Sequence, residues 1–238
     1  MKQLIQRFWL AVLLVLPLSA QEAEQPEVRA ARGRLAYFIY TSMPEGMENP
    51  VSIMTGKDIS ELTLSKRMAS EGVKIPADGI VRVVRKLAAP PAPGELPYQI
   101  LAQTIVPENV TKALIILIPI KPTGNGILFQ CKVQDLAAFK GGDYLYMNLT
   151  NLNVAVEMGP TKIPVKPGET KIYDSPVSAE PTNIPIRYSY FDTTKEEWNV
   201  LSASTVVLYG TRREICIFSW DTRYNRIDYH GITFPVTD

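Results

Sequence analysis

The chain carries one β-rich pattern twice, at an offset of about one hundred residues, and this duplication limits its fold more than any other feature. Tyr98 opens YQILAQTIV and Trp198 opens WNVLSASTVV; ALIILIP from Ala113 is answered by EICIFSW from Glu214, and NGILF from Asn125 by NRIDY from Asn225. Upstream, YFIY at Tyr37, PVSIMTG at Pro50 and KIP at Lys74 are answered by YLYM at Tyr144, VAVEMG at Val154 and KIP at Lys162. A repeat of this size predicts two small domains of one fold, placed at 34–136 and 137–238.

The repeated unit reads as strands. Runs such as LAYFIYT, GIVRVVRKL and IRYSYFD are rich in β-branched and aromatic residues and are interrupted by Pro, Gly, Asn and Asp. ISELTLSKRMAS from Ile59 alternates at Leu62 and Leu64, which favours a strand, with a helical turn over 65–70 left open. VQDLAAF from Val133 is the other candidate for a turn of helix. The 19 prolines must mostly occupy turns, strand starts and edges, because proline gives a ladder no N–H. The densest cluster, Ala88–Pro97, lies inside the first repeat and reads as a long connection between strands.

Met1–Ala20 has Lys2 and Arg7, an apolar stretch from Phe8 to Leu16, and Leu-Ser-Ala before Gln21, the layout of a cleaved secretory signal peptide. An uncleaved N-terminal anchor is the alternative, although the apolar run is shorter than the roughly 20 residues of a membrane span. The polar stretch 21–33 reads as a linker. Cleavage removes Lys2 and Arg7, so the formal charge passes from +1 to −1, which does not suit a nucleic-acid binder. Lys66-Arg67, Arg85-Lys86 and Arg212-Arg213 read as solvated faces or turns. The expected location is secreted, periplasmic or cell-surface, with no membrane span after cleavage.

The residues for most catalytic chemistries are missing. The one histidine, His230, lies in strand-like IDYHGITF, and the sequence has no HExxH, Gly-x-Ser-x-Gly, Walker or dinucleotide motif. We assign no catalytic, cofactor-binding or metal-binding residue. Glu157 on a strand, with Asp192, Glu196 and Glu197 in FDTTKEEW, leaves a two-carboxylate hydrolase open, although the last three read as a hairpin tip. Asp221, Asn225 and Asp228 superficially resemble a calcium loop but lack its glycine and closing glutamate; the match of Asn225 to Asn125 makes both segments hairpin turns. Cys131 and Cys216 fall in non-equivalent strands of different repeats, so two buried free thiols are expected, with a disulfide as the alternative. Asn109-Val-Thr111 and Asn148-Leu-Thr150 match the glycosylation pattern. The possible recognition residues are the aromatics Tyr188, Tyr190, Trp220 and Tyr224, while Tyr98 and Trp198 read as packing residues.

The elements Phe139 to Gly142, Asn148-Leu149, Val154 to Gly159 and Pro167-Gly168, within residues 113–173, resemble a group of uncharacterised secreted bacterial β-sandwich proteins. More distantly, the chain resembles immunoglobulin-like surface and pilus-associated modules. This resemblance implies a fold and carries over no catalytic residue. The expected protein is all-β, two tandem immunoglobulin-like sandwiches packed rigidly through the short QDLAAFKGGD connection. Its expected role is a non-enzymatic binding or assembly module, acting on an envelope or surface protein through sheet edges or the inter-domain surface. A carbohydrate-binding module using Tyr and Trp faces and a carboxylate-dependent glycan hydrolase are the alternatives.

Overall fold

The computed structural model describes residues 33–89, 96–122, 124, 126–176, 180–221 and 223–236. The signal segment, the linker apart from Gly33, the centre of the proline-rich connection and Asn125 lie outside the described residues.

The described chain is all-β, in four sheets of four strands. Sheet A contains β1 (Leu35–Tyr40), β4 (Val73–Lys74), β7 (Lys112–Pro119) and β8 (Phe129–Asp135), in the order β4-β1-β7-β8. Sheet B contains β2 (Val51–Thr55), β3 (Asp58–Leu62), β5 (Ile80–Lys86) and β6 (Tyr98–Ile105), in the order β3-β2-β5-β6. A 3₁₀ turn at Leu136–Ala138, capped by Asp135, leads into the second half. There sheet C orders β9 (Tyr144–Asn148), β12 (Thr170–Tyr173), β15 (Arg212–Asp221) and β16 (Arg226–Pro235) as β12-β9-β15-β16. Sheet D orders β10 (Val154–Met158), β11 (Thr161–Val165), β13 (Thr182–Asp192) and β14 (Glu197–Leu208) as β11-β10-β13-β14.

Adding eight to each strand number of the first half gives the second half, down to the parallel pairs β1·β7 and β9·β15. The turns repeat as well: β2–β3 and β10–β11 are two-residue hairpins opened by Gly56 and Gly159, whose positive φ of 65° and 55° suits glycine. Both halves carry a bulge one hundred residues apart. Leu101 is the extra residue on β6 and Leu201 the extra residue on β14.

Ladder register corrects three of the sequence matches. Phe38 pairs with Ile115 and Tyr146 with Cys216, all four in cores, so YFIY and YLYM correspond one residue away from a start-to-start match. A slip of one residue would exchange the faces of the strand. Lys74-Ile-Pro belongs to β4, whereas Lys162-Ile-Pro lies in β11, the counterpart of β3. Phe129 opposes Pro119 and Ile227 opposes Trp220, so Phe129 corresponds to Ile227 rather than to Tyr229. The 59–72 region is strand as far as Leu62 and has no helical turn over 65–70.

Three apolar clusters hold the sheets. Phe38, Ile53, Val83, Ile115 and Leu117 fill the space between sheets A and B. Tyr146, Val156, Tyr188, Cys216 and Phe218 fill the space between C and D. The third cluster joins the halves: Ile39, Leu114 and Ile116 on the other face of sheet A meet Leu145, Met147, Ile215, Ile217 and Ile232 of sheet C, with Leu136 and Phe139 from the connection. Sheets A and C are thus buried on both faces, which is why ALIIL on β7 is uninterrupted apolar sequence instead of alternating. All described strands belong to one compact unit, Ala31–Asp238.

Cys131 lies against the first core and Cys216 within the second, and both are free. Burial pushes their thiols up to about 11 and about 12 respectively. A thiol-exchange reagent at pH 8 is expected to react slowly with the native chain and to titrate both cysteines once guanidinium unfolds it; rapid native reaction would contradict this burial. Ile217→Ala, which opens a cavity in the third cluster, is expected to lower stability by about 2–5 kcal/mol in urea titration.

Candidate functional site

Most sheet edges are guarded. β3 presents Asp58 and Glu61, β4 has two residues including Lys74, β8 carries Lys132, β11 carries Lys162 and Pro164, β12 Lys171, and β16 Arg226 and Asp228. Charges, proline and shortness all discourage another strand from pairing with an edge. β14 differs. It has 12 residues and pairs only with β13, and from Trp198 to Leu208 it has neither a charge nor a proline. β6 is also uncharged, but its bulge is covered: Leu128 N–H, in the chain entering β8, donates to the Leu101 carbonyl at 2.8 Å. No described residue outside the strands makes the corresponding bond to Leu201.

The gap left between β14 and β16 is an open seam of about 320 Å³, lined by Tyr190, Val200, Leu201, Arg226, Ile227, Asp228 and Tyr229. Next to it on β14, the Asn199 side-chain nitrogen is buried with no partner among the described residues. Leu101 is 2% exposed, whereas its counterpart Leu201 is only half-buried. Edge and seam together form the candidate site. Sequence reasoning named Tyr190 but missed β14 and Leu201; the signals were the charge-free run after Trp198 and the shorter connection between β15 and β16.

The four aromatics singled out from sequence do not form one platform. Tyr188 is 7% exposed, its ring 5.3 Å from Phe218 and 4.8 Å from Tyr229, so it is a core residue and not a surface one. Tyr190 is half-buried at the seam. Trp220 and Tyr224 are exposed, Tyr224 in the β15–β16 turn with Arg223 and Arg226 each 5.2 Å from its ring. Trp198 is 52% exposed rather than packed away, with its ring 5.5 Å from Phe191. Together with Val200, Pro164 and Ala155 it lines a shallow trough of about 560 Å³ on the outer face of sheet D.

Of the candidate carboxylates, Glu157, Asp192 and, 3.7 Å from Lys195, Glu197 are engaged. Glu157 sits in that trough, 3.4 Å from Lys162 and 3.6 Å from Arg187. Asp192 caps the β13–β14 turn, accepting from Thr194 N–H at 2.9 Å. Asp221 does the same in the β15–β16 turn, accepting from Arg223 N–H at 2.9 Å, and Asn225 there has a φ of 48°. Among the described residues no group of three or more His, Cys, Asp or Glu is placed to hold a metal. Asn148, in one of the glycosylation patterns, is fully buried: its Nδ2 donates to the Leu152 and Val165 carbonyls at 2.8 and 2.9 Å, and its Oδ1 accepts from Thr150. The folded chain has no room for a glycan there, whereas Asn109 is exposed.

His230 lines a small crevice between the halves, with Thr41, Ser42 and Lys66 on one side and Ser219, Trp220 and Asp221 on the other. Its Nε2 is buried without a partner among the described residues. Burial lowers its pKa; Asp228 opposes the shift, and Lys66 and Arg67 add to it.

No family model and no curated protein matches the chain. Among the described residues no helix is long and apolar enough to cross a membrane.

A histidine whose pKa is depressed by folding contributes stability above its unfolded value of about 6.5, and that stability is lost as pH falls through the folded value. The chain is therefore expected to be less stable at pH 5.5 than at 7.5 in urea titration, and His230→Gln to flatten that limb. An unchanged slope would show that His230 does not carry it.

Proposed function

We propose that the chain is a non-enzymatic binding or assembly module of the secreted or cell-envelope space, built of two tandem immunoglobulin-like sandwiches, 34–136 and 137–238, packed rigidly. The observation that carries this reading is β14: an unguarded edge, charge-free from Trp198 to Leu208, among described edges that are otherwise charged, short or covered. Strand addition draws its affinity from main-chain hydrogen bonds and its specificity from side-chain pockets, so it needs no catalytic constellation. The N-terminal sequence supports export, and an envelope or surface protein is the partner this location would supply. A glycan-binding reading is favoured by one observation, the exposed Trp198 over the sheet D trough. Glycan hydrolysis has less support, since Glu157 lies between two cations.

The test is capture of native envelope proteins by the purified chain, run beside a glycan array. The wild type is expected to recover a protein partner. Ala203→Lys combined with Thr205→Lys, both at exposed positions of β14, should cut recovery about tenfold by guarding the edge, while changing stability by less than about 1 kcal/mol. Sugar binding with no protein recovered would overturn the assembly reading.

A further inference from the structure

We propose that the seam between β14 and β16 receives an extended segment of another protein, one apolar side chain of which fills the gap. This rests on the reading of β14 as the binding edge and adds to it the place, the mode and the chemistry of the occupant.

The argument comes from the molecule's own first half, where the equivalent place is filled. There nine residues, 120–128, connect β7 to β8, and their last part runs back along the seam. Ile120 N–H donates to the Leu128 carbonyl at 2.9 Å, and Leu128 N–H donates to the Leu101 carbonyl at 2.8 Å, so this extended stretch bridges sheet A to the bulge of sheet B. In the second half four residues, 222–225, connect β15 to β16. Asp221 draws that turn tight by accepting from Arg223 and Tyr224, and its described turn residues, 223–225, show no backbone bond to Leu201. The bulge is kept, and the segment that would cover it is missing.

What is left defines its occupant. The Leu201 carbonyl calls for a backbone N–H, as Leu101 receives from Leu128. Tyr190, Ile227 and Tyr229 form an apolar wall suited to a side chain like those of Ile127 and Leu128. An extended peptide with an apolar residue supplies both. Its volume of about 320 Å³ lies near the lower end of ligand pockets, roughly 300–1,000 Å³, and fits one or two side chains in preference to a large cofactor. In a second copy of this chain the covering residue Leu128 is already engaged in that copy's own first half, bonded to Leu101.

The probe is a labelled synthetic peptide with the sequence of residues 124–132, carrying serine for the cysteine, followed by fluorescence anisotropy with the purified chain. Binding is expected, and a peptide with proline in place of the leucine equivalent to Leu128, which lacks the N–H for Leu201, should bind about tenfold more weakly. Replacing residues 222–225 by the sequence of residues 120–128 should close the seam and weaken binding by a similar factor; Leu201→Arg, which blocks the wall without altering the loop, serves if that graft does not fold. No binding at millimolar peptide, or equal binding to the seam-closed variants, overturns the proposal. Self-association of the unliganded chain that disappears on closing the seam overturns it too, by assigning the place to a second copy. Envelope capture that is sensitive to Ala203→Lys and Thr205→Lys yet survives seam closure would sink the seam and leave the β14 reading standing. Capture insensitive to both would end both.

Discussion

Everything else in this fold depends on the contact between sheets A and C. Each has one face committed to the core of its own half, and the other faces meet over Ile39, Leu114, Ile116, Leu145, Met147, Ile215, Ile217 and Ile232. Fully burying such a side chain contributes about 1.5–3 kcal/mol, so the shared cluster outweighs the freedom of a short connection. The central strands β7 and β15 are therefore enclosed on both faces, and each is also held in a parallel pair, with β1 and β9 respectively. With A and C facing inward, sheets B and D are left outermost, with β6 covered at its bulge by the chain entering β8 and β14 left open.

Against that shared frame, the differences between the halves become informative. Strand order, hairpin glycines and the bulges at Leu101 and Leu201 are the same. The core chemistry differs: Phe38 and Ile115 in the first half correspond to Tyr146 and Cys216 in the second, whose core gathers Tyr146, Tyr188, Phe218 and Tyr229 into one aromatic group. The loop beside the bulge differs too, long and covering in one half, tight and non-covering in the other. A duplicated unit that keeps its bulge while losing the cover has exposed a surface that its sister copy buries.

Much of the architecture was legible from residue pattern. Strand alternation, turn glycines and the repeat led to an all-β chain, to which the structure adds the four-stranded sheets, and the separation of Cys131 from Cys216 followed from counting strands. Pattern failed where the third dimension decides. Tyr188 alternates with Arg187 and Ser189, which shows that it shares a face with Tyr190 but not that this face is the core. The sequon at Asn148 says nothing of exposure: the side chain is buried, donating to the carbonyls of Leu152 and Val165. The β14 edge was missed because being at an edge is a property of strand order, set by pairings between residues far apart in sequence. Its missing charges were visible; their meaning was not.

The central claim is that equivalent bulges are covered in the first half and open in the second. Native-state amide hydrogen exchange tests this directly, by comparing residues 99–103 of β6 with residues 199–203 of β14 in the unliganded chain. The account predicts about tenfold or greater protection of the β6 segment over the β14 segment, with β7 and β15 slowest of all. Equal protection of the two bulges would contradict it.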